Sequence, residues 1–72
     1  MPNYCVDYNA RANGDHEVHD LSEGARLECL PAAWNQRSVG WHPDCTAAVE
    51  AARSYYDQVN GCQYCCPAGN TT

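Results

Sequence analysis

The sequence predicts a small α+β domain, a β-hairpin or short antiparallel sheet packed on one C-terminal helix and stabilised by metal or by disulfides. Three observations lead there. Six cysteines fall within 72 residues. Short runs near positions 4–9 and 26–30 alternate in the two-residue period of a strand. From Asp44 onward, apolar residues recur at helical spacing until the chain reaches Gly61-Cys62-Gln63-Tyr64-Cys65-Cys66.

A chain of this length forms one domain, near the size where an apolar core alone leaves little margin. The apolar inventory is thin, with no Phe and one Met beside two Trp and five Tyr. Below about 80 residues, disulfides or a structural metal commonly supply what the core lacks. The cysteines are therefore read as staples rather than packing residues. Residues 1–66 are assigned to the domain and 67–72 to a flexible tail.

Tyr4, Val6 and Tyr8 alternate with Cys5, Asp7 and Asn9, which predicts a first strand. Asn13-Gly14-Asp15 is a turn, because Asn and Gly accept turn backbone readily. His16-Glu17-Val18-His19 follows as a second strand, with Val18 inward and the two imidazoles on different faces. Asp20 to Arg26 reads as a loop, and Arg26 to Leu30 as a strand that pairs with 16–20 and ends at Pro31. One helical turn or loop is expected over 32–37, with Trp34 capping the core, and a further short strand over Ser38–Trp41.

Pro43 suits the first turn of a helix, where its missing N–H has no partner to lose. Asp44 puts a carboxylate at the positive end. Cys45, Ala48, Val49, Ala52, Tyr55 or Tyr56, and Val59 then share the inward face, with Asn60-Gly61 as the stop. Trp34, Trp41 and the tyrosines are expected in core or half-buried positions rather than in an aromatic binding patch, since little else has their volume.

Cys62-x2-Cys65 is the most specific chemical signal. Two intervening residues let both thiolates turn to one tetrahedral ion, and zinc commonly takes such sulfur pairs. Cys29 is the third candidate ligand, at the end of its strand before a proline. His19 or Cys45 is the candidate fourth, with Cys5 and Cys66 behind them. Because Cys65 and Cys66 are adjacent their side chains diverge, so one of them has a separate role. The competing reading is three disulfides, which six cysteines can pair in fifteen ways. A thioredoxin-like role is disfavoured, since that chemistry places its first cysteine at a helix N-terminus and this pair follows a helix.

No catalytic set converges. Asp44 and Glu50 do not share a helix face, Ser54 lacks a nucleophile turn, and Asp15 and Glu17 read as a solvated acidic segment. Cys45 with His42 is a conceivable nucleophile and base, but Cys45 points to the core. With no lysine, Schiff-base chemistry is excluded. Nine carboxylates against four arginines give a net charge of -5, which disfavours DNA or RNA as a partner.

No stretch approaches the roughly 18 apolar residues of a membrane span. The N-terminus has no basic region followed by an apolar run, so no signal peptide is expected. With Met1 as the native start, the expectation is a cytoplasmic protein whose reduced thiols favour metal. For a processed chain it reverses, to a secreted or periplasmic protein and disulfides.

His19, Cys29, the run Cys45 through Ala52 and Gly61-Cys62-x2-Cys65 together resemble the small metal-binding domain of Ada-type DNA-repair proteins, over roughly residues 18–67. That resemblance implies a β-hairpin carrying early ligands, a short helix, and a terminal Cys-x-x-Cys completing a zinc site. Cys29, Cys62 and Cys65 match by role. The acidic, lysine-free chain and its long 20–28 loop depart from the pattern, so the likeness implies a metal-supported topology and not DNA repair. The Gly-Cys-x-x-Cys ending also resembles that of a group of small bacterial cysteine-rich proteins, a likeness that carries no activity with it.

The function expected is that of a structural-zinc interaction or accessory module with a protein partner, more readily a non-enzyme than an enzyme. Such a module should expose an aromatic patch near Trp34 or Trp41. The alternatives are a disulfide-stabilised binding protein without metal, and a thiol-dependent enzyme or redox protein in which Cys66 supplies an exposed reactive thiol.

Overall fold

Strands β1 (Asn3–Asp7) and β2 (His16–Asp20) form the antiparallel hairpin on which the rest of the chain is assembled. The computed structural model describes residues 2–22 and 28–71. The hairpin closes through the expected turn: Asn13 Oδ1 accepts from the Asp15 N–H at 2.9 Å, and Gly14 adopts a φ of +92°. That φ lies in the left-handed region, where a side chain is costly.

A third strand, β3 (Gln36–Trp41), pairs antiparallel with the other edge of β1. Its register slips between Tyr4↔Gly40 and Cys5↔Ser38, which leaves Val39 as the extra residue of a bulge and Gly40 at φ +92°. The His42 Nε2–H donates to the Val39 carbonyl at 2.9 Å, so the bulged edge is partly capped. The chain then crosses through helix α1 (Cys45–Ala52) to β4 (Val59–Gly61), which lies parallel to β2. The sheet order is β3-β1-β2-β4.

Helix α1 begins as expected, with the Asp44 side chain accepting from the Ala47 N–H at 2.8 Å, although Pro43 precedes the cap rather than following it. It ends earlier than expected. The Ser54 hydroxyl donates to the Ala51 carbonyl at 2.8 Å, the chain turns through 53–55, and Val59–Gly61 becomes a strand instead of a last helical turn. Ser competes for backbone acceptors in this way and favours helix exits. The 16–20 strand has β1 and β4 as its neighbours. Positions 26 and 27 lie outside the described residues, and Glu28 and Cys29 have helical-turn geometry.

Strand alternation sends Tyr4, Val6 and Val18 to one face, where they pack with Ala48, Val49 and Ala52 of α1. Cys5 and His19, paired across β1 and β2, are also buried. Core or half-buried use holds for Tyr4 and for Tyr56, which packs half-buried against the core, and is corrected for the others: Trp34 is 82 % exposed and Trp41 64 %, with Tyr8, Tyr55 and Tyr64 also outside. Helix α1 meets the sheet through Ala and Val, and an interface of such small residues leaves no volume for an indole at close-packed density. Tyr4 alone among the large aromatics is fully inside.

The segment expected as a loose tail forms a short 3-10 turn at Pro67–Gly69 with Gly69 buried. The Asn70 side-chain amide donates to the Gly61 carbonyl at 2.9 Å, and the Thr71 N–H to Asn60 Oδ1 at 3.0 Å. These bonds hold the chain end on the outer side of β4. Among the described residues no helix is long and apolar enough to cross a membrane.

Candidate metal centre

His19, Cys29, Cys62 and Cys65 each bring one donor atom to a common point, all within 4.8 Å of one another. The fold delivers three of them through the β2–β4 pairing. Val18 pairs with Gly61 in the parallel register, so the next residues, His19 and Cys62, lie side by side. The Cys62 N–H continues that ladder to the Val18 carbonyl at 2.9 Å. A turn closed by the Cys66 N–H on the Cys62 carbonyl, at 2.8 Å, then folds Cys65 back toward the same point. Cys29 enters from the segment that follows β2.

A tetrahedral zinc site with Zn–S near 2.3 Å and Zn–N near 2.0 Å has sulfur–nitrogen edges of about 3.5 Å and sulfur–sulfur edges of about 3.8 Å. His19 Nδ1 lies 3.5 Å from Cys65 Sγ, already on such an edge. The 4.8 Å outer limit of the set leaves about 1 Å of contraction to a closed tetrahedron. His19, Cys62 and Cys65 are buried and Cys29 is half-buried, as suits a site without an open position.

The electrostatics favour a cation at this point. Burial holds the His19 pKa below its ordinary value, partly offset by the Glu17 carboxylate, so the imidazole is neutral near pH 7 and has a lone pair to offer. Burial also raises the Cys65 thiol, opposed by the Asp20 N–H that donates to its sulfur at 3.4 Å, while the neighbouring Cys29 and Cys62 sulfurs raise it further. Burial likewise raises Cys29. Without compensating positive charge these crowded thiols keep their protons; a divalent ion supplies that charge and favours the thiolates.

Cys45 is bonded to Cys66 instead of joining the cluster, with Cα atoms 5.5 Å apart as an ordinary disulfide requires. This divides the adjacent pair: Cys65 turns to the cluster and Cys66 to the helix. It also removes the two thiols that the enzyme alternatives would have used. Cys66 is fully buried and bonded, and Cys45 has no thiol for His42 to activate. Cys5 is a buried free thiol outside the donor set. His16 has a local role, stacking on Tyr56 at 3.8 Å and donating from Nδ1 to the Asp7 carbonyl at 2.8 Å.

The residue that sequence reasoning passed over is Glu17. Its Oε1 lies 3.2 Å from the Arg11 guanidinium and 3.8 Å from His19 Nε2. Two-residue alternation along β2 puts Glu17 and His19 on one face, a signal that reading 15–17 as a solvated acidic segment obscured. A polar cavity of about 170 Å³ lies alongside, lined by Arg11, Asp15, Glu17 and Asn60 and by Gln63 and Tyr64, the two residues between the Cys62 and Cys65 sulfurs.

No protein-family model, curated protein or solved structure matches the chain. The cysteine-rich character and the four-donor cluster are established on the chain itself, and nothing in these comparisons ties it to Ada-type repair proteins.

Proposed function

We propose that the chain is a small interaction module whose fold is held by a structural zinc ion on His19, Cys29, Cys62 and Cys65, and independently by the Cys45–Cys66 disulfide. The observation that carries this reading is the convergence of four donors from three separate parts of the chain within 4.8 Å. Three sulfurs and one imidazole nitrogen are a zinc donor set, and a closed tetrahedron of them is a cross-link rather than a catalyst. Bound there, the ion joins β2, the segment carrying Cys29 and the Cys62–Cys65 turn. The exposed Trp34 and Trp41 belong with a binding role, since the core does not need them.

The second reading, a metal-free disulfide protein, draws on the Cys45–Cys66 bond. It pairs the remaining cysteines less well. Joining any two of Cys29, Cys62 and Cys65 leaves the third with Cys5, which lies outside their cluster.

Intact mass without reductant, with elemental analysis, separates the two. One zinc, four cysteines outside any disulfide and a mass lower by about two hydrogens, as one disulfide requires, is the expected result. Protein with two or three bridges and no metal rejects the zinc reading. Cys29→Ser, Cys62→Ser and Cys65→Ser should each lose zinc, whereas Cys5→Ala should retain it.

A further inference from the structure

Three side chains unrelated to the metal centre, Tyr8, Arg37 and Tyr55, meet at one end of the sheet, and the turn that carries Trp34 adjoins them. Tyr8 follows β1, and its N–H donates to the Asn35 carbonyl at 2.9 Å, which places it beside the 3-10 turn at Ala33–Asn35 that carries Trp34. Arg37 starts β3, and its guanidinium carbon lies 4.3 Å from the centre of the Tyr55 ring and 5.9 Å from that of Tyr8. Tyr55 comes from the exit of α1. Trp34, 82 % exposed, is the most open of the large apolar side chains among the described residues.

We propose that Arg37, with Tyr8 and Tyr55 around it and Trp34 on the adjoining turn, is a docking surface for an acidic segment of a partner protein in which a carboxylate is flanked by apolar residues. The proposal rests on the interaction-module reading and names the face and the partner chemistry.

Charge is the first argument. The chain carries nine carboxylates and four arginines, so acids are in excess. Arg11 is paired with Glu17 at 3.2 Å and Arg53 with Glu50 at 3.3 Å. Among the described residues no carboxylate lies within ion-pair distance of Arg37. Asp7, across the β1–β3 pairing from Gln36, has its carboxylate engaged by the Asn9 N–H at 2.9 Å.

Pre-organisation is the second. Tyrosine rings hold an arginine through its flat face, which leaves the planar fork of N–H donors along its edge for a carboxylate. The ordering cost of a long side chain is thus met before a partner arrives. Trp, Tyr and Arg are also the residue types that dominate interface hot spots. An apolar neighbour of the partner's carboxylate would cover the open Trp34 indole.

The net charge of -5 does not oppose this. At physiological salt, charges more than about 8 Å away are screened, so the Arg37 guanidinium, with no carboxylate partner among the described residues, governs a short-range contact. The same net charge disfavours a polyanion such as RNA, whose many phosphates would face carboxylates elsewhere on the surface. The β3 edge is a weaker site for strand addition, because the Val39 bulge and the His42 bond to it interrupt the ladder.

The test is selection of a random peptide display library against the zinc-loaded, disulfide-intact protein, with zinc and thiols counted on the same sample. Expected sequences carry Asp or Glu beside an aromatic or aliphatic residue. A synthetic representative should change Trp34 fluorescence in a Trp41→Phe background. Arg37→Gln or Trp34→Ala should weaken binding at least about thirtyfold, the scale of hot-spot loss, with Arg37→Lys intermediate and the amide form of the peptide inactive. Both substituted positions lie outside the core, so far-ultraviolet circular dichroism should be unchanged. Absence of acidic enrichment, equal binding by Arg37→Gln, or preference for a phosphopeptide or a single-stranded RNA oligonucleotide overturns the proposal. Protein that holds zinc yet gives such a result sinks the docking surface alone; protein that lacks zinc but selects Arg37-dependent acidic peptides sinks the metal reading alone.

Discussion

Glu17 Oε1 lies 3.8 Å from Nε2 of His19, while Nδ1 of the same ring is 3.5 Å from the Cys65 sulfur. The ring is therefore placed for Nδ1 to ligate while Nε2 keeps its proton toward a carboxylate. Such outer carboxylates fix the tautomer of a ligating histidine, and removing them typically costs about 10- to 100-fold in metal affinity. Glu17→Ala should weaken zinc binding by that amount and Glu17→Gln by less, measured by competition with a chromophoric chelator. The Arg11–Glu17 pair is partly exposed and contributes little of its own, so Arg11→Gln should change affinity only slightly. Equal affinity for wild type and Glu17→Ala would show that the carboxylate has no hold on the ring.

The Cys45–Cys66 bond spans 21 positions and ties the start of α1 to the residue after Cys65. Loop-closure entropy for a loop of that length is worth roughly 3 kcal/mol of stability. Cys45→Ser and Cys66→Ser should each lower stability by about that much in urea, with the zinc content retained. Loss of zinc in either variant would mean that the disulfide, and not the β2–β4 pairing, positions Cys65.

The first half of the fold was legible because its cues are local. Tyr4 and Val6 alternate with polar neighbours, Asn13-Gly14 turns, and Asp44 caps, all within a few residues of one another. Strand β4 was not, because Val59–Gly61 is three residues long and is a strand only by virtue of pairing with His16–Val18, some forty positions earlier. Its valine also fell on the periodicity of α1, so the helix pattern ran on past Ser54. The cluster itself was half legible: Cys62-x2-Cys65 and Cys29 stand out by spacing, but the choice between His19 and Cys45 depends on that same parallel register. The Trp positions failed for a different reason. Volume scarcity suggested that both indoles lie inside, whereas a short Ala- and Val-faced helix packs too near the sheet to admit them.

Burial pushes the Cys5 thiol up to about 12, with the Asp7 carboxylate adding to the rise. In the unfolded chain the thiol has a pKa of about 8.5. Between those values the unfolded state has released a proton that the native state keeps, so stability is whole below the lower value and falls as pH climbs toward the upper one. Urea midpoints of the zinc-loaded protein at pH 8 and about pH 10.5 should therefore differ more for wild type than for Cys5→Ala. Tyr4 is present in both proteins and cancels in that comparison. Identical pH responses would place the Cys5 thiol in contact with solvent.

Gly61 and Gly40 differ in why each is glycine. A Cβ on Gly61 would lie 2.5 Å from the Cys66 carbonyl oxygen and 2.8 Å from the Gly69 carbonyl carbon, both backbone atoms of the turn that carries the disulfide. Neither can rotate away, so Gly61→Ala must push the 66–69 turn off β4, at the upper end of the usual overpacking cost of about 1–3 kcal/mol. The displacement passes through Cys65, and zinc affinity should fall with stability. A Cβ on Gly40 meets nothing within 4 Å, and the penalty there is the φ of +92° alone, roughly 1–2 kcal/mol for an alanine held in left-handed backbone. Gly40→Ala should therefore lower the urea midpoint while leaving the zinc titration unchanged. If both variants lose zinc affinity equally, the β4–turn contact is not what holds the Cys62–Cys65 arm in place.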